Sequence, residues 1–134
     1  MKVFSDTSWW VALLAHRDTN HHKAKESLER IKKDKIEIYI SDYVYDETVT
    51  LLRRKANFKI SHLFGENILT SKIANLIFTS KKDFQEAWRI YKKFEDQDFS
   101  FTDCISFVIM KKLKINKALT FDRHFVIMNF DLFS

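Results

Sequence analysis

The chain has 134 residues, of which 46% are hydrophobic, and a formal net charge of +5. This length fits one compact domain over residues 1–134, with enough apolar content to bury a core without disulfides. Cys104 is the single cysteine, which excludes an intrachain disulfide framework and favours a reducing compartment. No stretch of the sequence approaches the roughly 20 apolar residues of a membrane span. The sequence therefore predicts a soluble cytoplasmic protein.

Two features of the composition bear on partners. Lysine and arginine outnumber aspartate and glutamate by 23 to 18, a balance that suits a polyanionic ligand but is also common on solvated lysine-rich surfaces. The 13 phenylalanines and 3 tryptophans exceed what a small monomer easily hides. They indicate either an interface, such as that of a homodimer, or a phenylalanine-rich core.

The hydrophobic pattern alternates short apolar strands with amphipathic helices. Strands separated by helices predict an α/β fold of three layers, α/β/α, with a central parallel sheet of four to five strands. With one glycine and no proline, nothing in the chain reads as a linker. In chain order the predicted elements are strand Lys2–Ser5, helix Thr7–Ala15, helix His21–Lys33, strand Ile36–Ile40, helix Asp42–Ala56, helix Ile60–Thr70, strand Ile73–Phe78, helix Lys82–Glu95, helix Ser100–Leu113, strand Lys117–Phe121 and an edge strand within Phe125–Phe133.

An aspartate follows each of two predicted strands. Val3-Phe4-Ser5 leads into Asp6, and Leu119-Thr120-Phe121 leads into Asp122. Right-handed crossovers place the carboxyl ends of parallel strands at one edge of the sheet, where open α/β sheets bind ligands. The alternative is that each aspartate caps the helix after it, although Thr7 or Ser8 offers another cap for the first helix.

Two further acids are candidates for the same edge. Asp103 begins the most apolar helix of the chain, where a carboxylate is costly unless it is paired or binds a metal. Ser100 stands three residues earlier, at capping-box spacing, so Asp103 also reads as a cap. Glu47 shares its side of a helix with Val44 and Leu51, which places it better than Asp46 to turn inward, although taken alone either acid reads as solvated.

Four carboxylates in one pocket repel one another unless some are protonated or cations lie among them. Oxygen ligands without cysteine or histidine select hard ions, so Mg²⁺ or Mn²⁺ is expected. Such an ion activates water for attack on a phosphodiester. If Asp6, Glu47, Asp103 and Asp122 converge in this way, they are the candidate metal ligands and catalytic residues.

Four segments together resemble the PIN-domain nucleases, and most of all the VapC toxins of toxin–antitoxin pairs. They are VFSDTSWWVALLA, SDYVYDETVTLL, SFTDCISFVIMKKL and ALTFDRHF, and in this order they span nearly the whole chain. The resemblance implies a parallel sheet wrapped by helices, Mg²⁺- or Mn²⁺-dependent cleavage of RNA, a homodimer and a small inhibitory antitoxin. It maps the family's acids onto the same four carboxylates and adds Thr7, Asp98 and Thr120 as auxiliary site residues.

One position departs from the family pattern. Asn129 precedes Phe130 where members usually have glycine, and asparagine tolerates the left-handed backbone that such a turn requires. Arg123 and His124 lie beside Asp122 and could touch a phosphate, but a loop residue and a packed imidazole are the simpler interpretation. Cys104 is read as a core residue.

Two other functions remain open from the sequence. A phosphatase-like enzyme would use Asp6 as nucleophile, although many such enzymes have a second aspartate where this chain has Ser8. A PIN-like RNA-binding module without activity normally lacks one of the acids, and here all four are present.

Overall fold

The computed structural model describes residues 1–70 and 72–133. Within these ranges five strands form one sheet in the order β3-β2-β1-β4-β5, and every neighbouring pair is parallel. The central strand β1 aligns Val3 with Ile38 of β2 and Phe4 with Ala118 of β4. The strands are β1 (Lys2–Ser5), β2 (Glu37–Ser41), β3 (Asn75–Ile77), β4 (Lys117–Leu119) and β5 (Asp131–Leu132).

Helices connect the strands and cover both faces of the sheet, so the predicted three-layer α/β/α fold is confirmed. Each strand-to-strand connection contains at least one helix, as parallel pairing requires. The helices of the described ranges are α1 (Thr7–Leu14), α2 (His21–Asp34), α3 (Asp42–Lys55), α4 (Phe58–Thr70), α5 (Lys81–Lys93), α6 (Phe101–Leu113) and α7 (His124–Ile127).

The core includes β1 and α6. Val3 and Phe4 of β1 are fully buried, and every residue of α6 from Asp103 to Met110 is buried. This matches the prediction that α6, apolar on nearly all sides, is an interior helix. Cys104 belongs to this core, and burial together with the charge of Asp103 raises the pKa of its thiol to about 11. It is therefore a packing residue.

The structure corrects the predicted end of β4. The strand was expected to reach Phe121 but ends at Leu119. The backbone N–H of Phe121 donates to Ser8 Oγ at 2.9 Å, and that of Asp122 donates to Thr120 Oγ1 at 2.9 Å. These two amides bind hydroxyl groups, so the ladder of strand hydrogen bonds stops before them.

The tail after Asp122 also differs from the prediction, since a short helix, α7, precedes the edge strand β5. Asn129 takes a left-handed backbone with φ of 67°, and Asp131 then donates its N–H to Asn116 O at 2.9 Å. The turn therefore forms with asparagine at the position where family members usually have glycine. The predicted edge strand exists but is confined to Asp131–Leu132.

The surface of α5 holds large aromatic side chains outside the core. Phe84, Trp88 and Tyr91 are 46%, 48% and 41% exposed, whereas Ala87 between them is fully buried. Trp88 is therefore not a core residue, unlike Trp9 and Trp10. None of the helices in the described ranges is long and apolar enough to cross a bilayer.

Candidate functional site

A cavity of about 370 Å³ opens beside the carboxyl ends of β1 and β4. The four acids singled out in the sequence all line it, although they come from four separate parts of the chain. Of the auxiliary residues, Thr7 and Asp98 line it too, and Thr120 reaches it through Asp6. The lining residues are Asp6, Thr7, Ser8, Val11, Glu47, Leu51, Lys55, Asp98, Ser100, Asp103, Asp122 and His124.

Asp6 follows β1 directly and is 4% exposed. Its backbone N–H donates to Leu119 O at 2.9 Å, which holds it against the end of β4. Its Oδ2 accepts hydrogen bonds from Thr120 Oγ1 at 2.8 Å and from Ser8 Oγ at 3.0 Å. Although Asp6 is the N-cap residue of α1, its side chain makes no capping bond, so the interpretation as a cap is wrong.

Burial raises the pKa of Asp6 from 3.8 to about 6, against the hydrogen bonds from Thr120 and Ser8 that stabilise its ionised form. The negative charge of Asp103 raises the pKa further. A carboxylate held in this way has a costly negative charge at neutral pH. A nearby cation would remove that cost.

Asp103 is a helix cap whose carboxylate also lines the cavity. It completes a capping box with Ser100: Asp103 N donates to Ser100 Oγ at 3.0 Å, and Ser100 N donates to Asp103 Oδ2 at 3.1 Å. The same carboxylate lines the cavity. Burial raises its pKa more than the hydrogen bonds from His124 and Ser100 lower it. Asp103 is thus a helix cap that also presents a costly charge to the cavity.

His124 joins Asp103 to Asp122. Its Nδ1 lies 2.9 Å from Asp103 Oδ2 and 3.2 Å from Asp122 Oδ1, and its backbone N–H donates to Asp122 Oδ1 at 2.9 Å. Burial would lower the pKa of His124, but the hydrogen bond to Asp103 and the surrounding carboxylates outweigh it and raise that pKa. The sequence favoured a packed imidazole for His124, and the signal for a site residue was its position two residues after Asp122.

α3 forms one wall of the cavity. Glu47, Leu51 and Lys55 line it at intervals of four residues, so they share one side of the helix. Asp46, the neighbouring acid, is exposed on another side. This confirms the direction predicted for Glu47. Lys55, which sequence reasoning passed over, enters the cavity because it repeats the same interval once more.

The chemistry of the lining fits a divalent cation. The four carboxylates supply hard oxygen donors, and single ligand atoms of Asp103, Asp122 and His124 all lie within 4.8 Å of one another. Thr7 Oγ1 is buried at the cavity and has no hydrogen-bond partner within the described chain. An ion or its coordinated water would satisfy this hydroxyl and offset the charge of Asp6 and Asp103.

A parallel sheet with a carboxylate-lined cavity at its carboxyl edge defines an α/β protein whose site suits metal-assisted chemistry. The family model described as "PIN domain" matches residues 3–130, and the chain belongs to this family. The resemblance found in the four sequence segments is confirmed.

Curated relatives match along almost the whole chain. The 23S rRNA-specific endonuclease VapC20 of Mycobacterium tuberculosis is 30% identical over 124 residues, which cover 92% of this chain and 91% of the relative. A VapC ribonuclease of Archaeoglobus fulgidus is 27% identical over 128 residues, covering 93% and 80%.

Solved structures agree with the fold. The crystal structure of M. tuberculosis VapC20, described as a sarcin–ricin loop cleaving toxin, superposes with a TM-score of 0.86 at 29% identity and covers 96% of this chain and 95% of the other. VapBC2 from Rickettsia felis gives a TM-score of 0.72 at 16% identity, covering 98% and 97%. FitAcB from Neisseria gonorrhoeae gives 0.67 at 15%, covering 100% and 97%. The last two support the fold alone.

Proposed function

We propose that this protein is a VapC-type toxin, a divalent-metal-dependent endoribonuclease in which four carboxylates serve the hydrolysis of RNA phosphodiesters. The observation that most supports this is the convergence of Asp6, Glu47, Asp103 and Asp122 on one cavity. The names of the relatives, an endonuclease specific for 23S rRNA and a ribonuclease, support RNA as the substrate class.

In this proposal the four acids would hold Mg²⁺ or Mn²⁺. When bound, the ion supplies activation of water and stabilisation of the charge that develops on the phosphate and the leaving oxygen. Thr120 and Ser8 orient the Asp6 carboxylate through their hydroxyl groups. Ser100 and His124 orient Asp103, and the His124 backbone N–H orients Asp122.

Family membership removes the basis for the phosphatase-like alternative. The inactive RNA-binding module differs from the proposal in one measurable way, since only the nuclease requires divalent ions for turnover. The proposed partners are an RNA substrate, a second copy of the chain and a small antitoxin whose tail would cover the carboxylate cavity.

Cleavage of a single-stranded RNA tests the activity directly. We expect cleavage with Mg²⁺ or Mn²⁺ and none with EDTA. Glu47→Gln should lower the rate by more than about 100-fold, beyond the effect typical of residues that only support metal ligands. Asp46→Asn is the matched control: it removes one negative charge from the adjacent, exposed position of α3 and should leave the rate unchanged.

The same assay examines the antitoxin. The product of a neighbouring reading frame, purified and added in equal amount, should inhibit cleavage. Cleavage in EDTA that persists in the Glu47→Gln preparation would indicate a contaminating nuclease. Cleavage in EDTA that Glu47→Gln abolishes would contradict the metal requirement.

A further inference from the structure

The negative charge of the carboxylate cavity opposes the binding of a polyanion. Its lining includes five acidic side chains and, within the described chain, one lysine or arginine, Lys55. RNA brings one negative charge with every nucleotide, so the phosphates flanking the cleavage site require cations outside the cavity. Basic side chains that adjoin the cavity therefore indicate the path of the bound RNA strand.

α3 extends from the cavity into a basic segment. Glu47 and Lys55 both line the cavity and are eight residues apart, about 12 Å along the helix axis. Arg54 follows Glu47 by seven residues and therefore lies on nearly the same side of α3. Arg53 and Arg54 in turn line a cleft of about 710 Å³ between α3 and α4. The consecutive basic residues Lys55, Arg54 and Arg53 thus connect the lining of the cavity with that of the cleft, which also includes Glu66.

A stack of planar groups lines this cleft. The Arg53 guanidinium is centred 5.0 Å from the centroid of the Phe58 ring, and the His62 ring stacks on Phe58 at 5.6 Å with 24° between the planes. Phe58 is nevertheless 58% exposed. Single-stranded RNA is bound by this combination of cations and exposed planar groups, because its unstacked bases add to aromatic and guanidinium planes.

We propose that Lys55, Arg54, Arg53 and Phe58 form a track that binds the single-stranded RNA beside the cleavage site. The basic groups contact phosphates, and the Phe58 stack receives a base. This inference rests on the proposed ribonuclease function and specifies how its substrate is held. Basic residues in the last turn of a helix also complement the helix dipole. The test therefore compares the arginine pair of α3 with a lysine pair in the last turn of α2.

Binding of a 12-nucleotide fluorescent RNA, measured by anisotropy in EDTA between 50 and 300 mM KCl, tests the track. In the double variant Arg53→Gln/Arg54→Gln, the slope of log affinity against log salt should become shallower by about 1.4, or about 0.7 per lost phosphate contact. Affinity at 0.1 M salt should fall roughly tenfold or more. Phe58→Leu should weaken binding by about fivefold or more without changing the slope, because it removes a stacking surface and no charge.

Lys32→Gln/Lys33→Gln is the matched control. These lysines occupy the last turn of α2, which leads into the amino end of β2 and hence lies at the edge of the sheet opposite the cavity. Affinity and slope should match the unmodified protein. An equal fall in RNA affinity in both double variants would contradict the proposed track. An unchanged salt slope in the arginine variant would contradict it as well. So would normal RNA binding with lost binding of a glutamate-rich peptide, which would assign the track to an acidic polypeptide.

Turnover with Mn²⁺ separates this inference from the proposed function. The arginine variant should raise KM and leave kcat unchanged, since the track binds substrate and transition state equally. Cleavage with an unchanged KM in that variant contradicts the track and leaves the ribonuclease in place. Salt-dependent binding through the arginines without any cleavage supports the track and contradicts the ribonuclease.

Discussion

Two aspartates of this chain have the same local structure, but their pKa values are shifted in opposite directions. Asp83 and Asp103 each complete a capping box, with Ser80 and Ser100 respectively, at the start of α5 and α6. Burial opposes ionisation of Asp83, but Lys112, at 2.7 Å, and Ser80 lower its pKa below the ordinary range. The pKa of Asp103 is raised because burial and the charge of Asp122 outweigh its interactions with His124 and Ser100. Asp83 is thus paired with a lysine, whereas Asp103, a proposed metal ligand, has only the imidazole of His124 beside it.

Asp103→Asn should separate capping from metal binding. Asparagine keeps an acceptor for the Ser100 N–H, so the cap should lose no more than about 0.5–2 kcal/mol, and relief of a buried charge offsets part of that loss. The rise in melting temperature on adding Mn²⁺ should shrink, and cleavage should collapse. Melting curves with and without Mn²⁺, together with a single-turnover RNA assay, measure both effects.

Asp83→Asn is the control, because it changes the corresponding capping box of α5 and Asp83 does not line the cavity. It should lower stability by breaking the Lys112 pair, yet leave the response to Mn²⁺ and the cleavage rate intact. An Asp103→Asn protein that cleaves at the unmodified rate would remove Asp103 from the site.

The raised pKa of Asp6 predicts how metal-free stability depends on pH. Asp6 titrates at about 6 when folded and at 3.8 when unfolded, so the folded state binds more protons between these values. Stability should therefore fall as pH rises from about 4 to 6 and stay at the lower level above that, by on the order of 2–3 kcal/mol for this residue. The shifts of Asp103 and His124 have the same sign. Asp6→Asn should flatten the pH profile of urea unfolding in EDTA, and an unchanged profile would contradict the assignment.

At the scale of elements, periodicity predicted which segments are helices and strands but not how each one ends. β4 stops at Leu119 because the next amides bind Ser8 and Thr120, and Ser8 lies more than 100 residues away in the sequence. α7 begins where the Asp122 carboxylate accepts the His124 N–H. Such ends are set by side chains that are themselves positioned by the fold, so local sequence patterns do not reveal them.

The sequence located some residues of the candidate site and missed others. Asp6 and Asp122 follow strands, and parallel topology alone places them at one edge. Helical spacing gave the direction of Glu47. The bridging position of His124 depends on α7, which has four residues and no periodic pattern, so its role emerged only from the structure. Lys55 was missed because a basic residue in the last turn of a helix already has a sufficient local explanation.

At the scale of the whole molecule, the aromatic excess seen in the composition divides between core and surface. Phe4, Phe107 and Phe125 fill the core. The stripe formed by Phe84, Trp88 and Tyr91 on α5 instead faces solvent, and Phe101 packs against it with a ring-centroid distance of 5.0 Å to Phe84. The phenylalanine-rich core is therefore confirmed, whereas an interface on the exposed stripe stays a prediction.

This aromatic stripe supports the proposed homodimer. A two-fold interface must be complementary to itself, and rings that pack edge to face meet that condition. Nearby Glu86 and Arg89 form a salt bridge, so this pair adds no net charge beside the stripe. The stripe adjoins the cavity through Ser100, which borders both. Dimerisation here would set two cavities near one interface.

Light scattering should give about twice the 16.1 kDa chain mass for the unmodified protein. Trp88→Ser/Tyr91→Ser should shift the protein to a monomer, because it removes the two stacked rings of the stripe and leaves the buried residues of α5 in place. Leu69→Ser, which removes an apolar side chain of 58% exposure from α4, is the control and should remain dimeric. A monomer of unmodified protein at high concentration would contradict the dimer. A dimer that survives the double substitution would place the interface on another surface, and neither result would alter the predicted requirement for divalent ions.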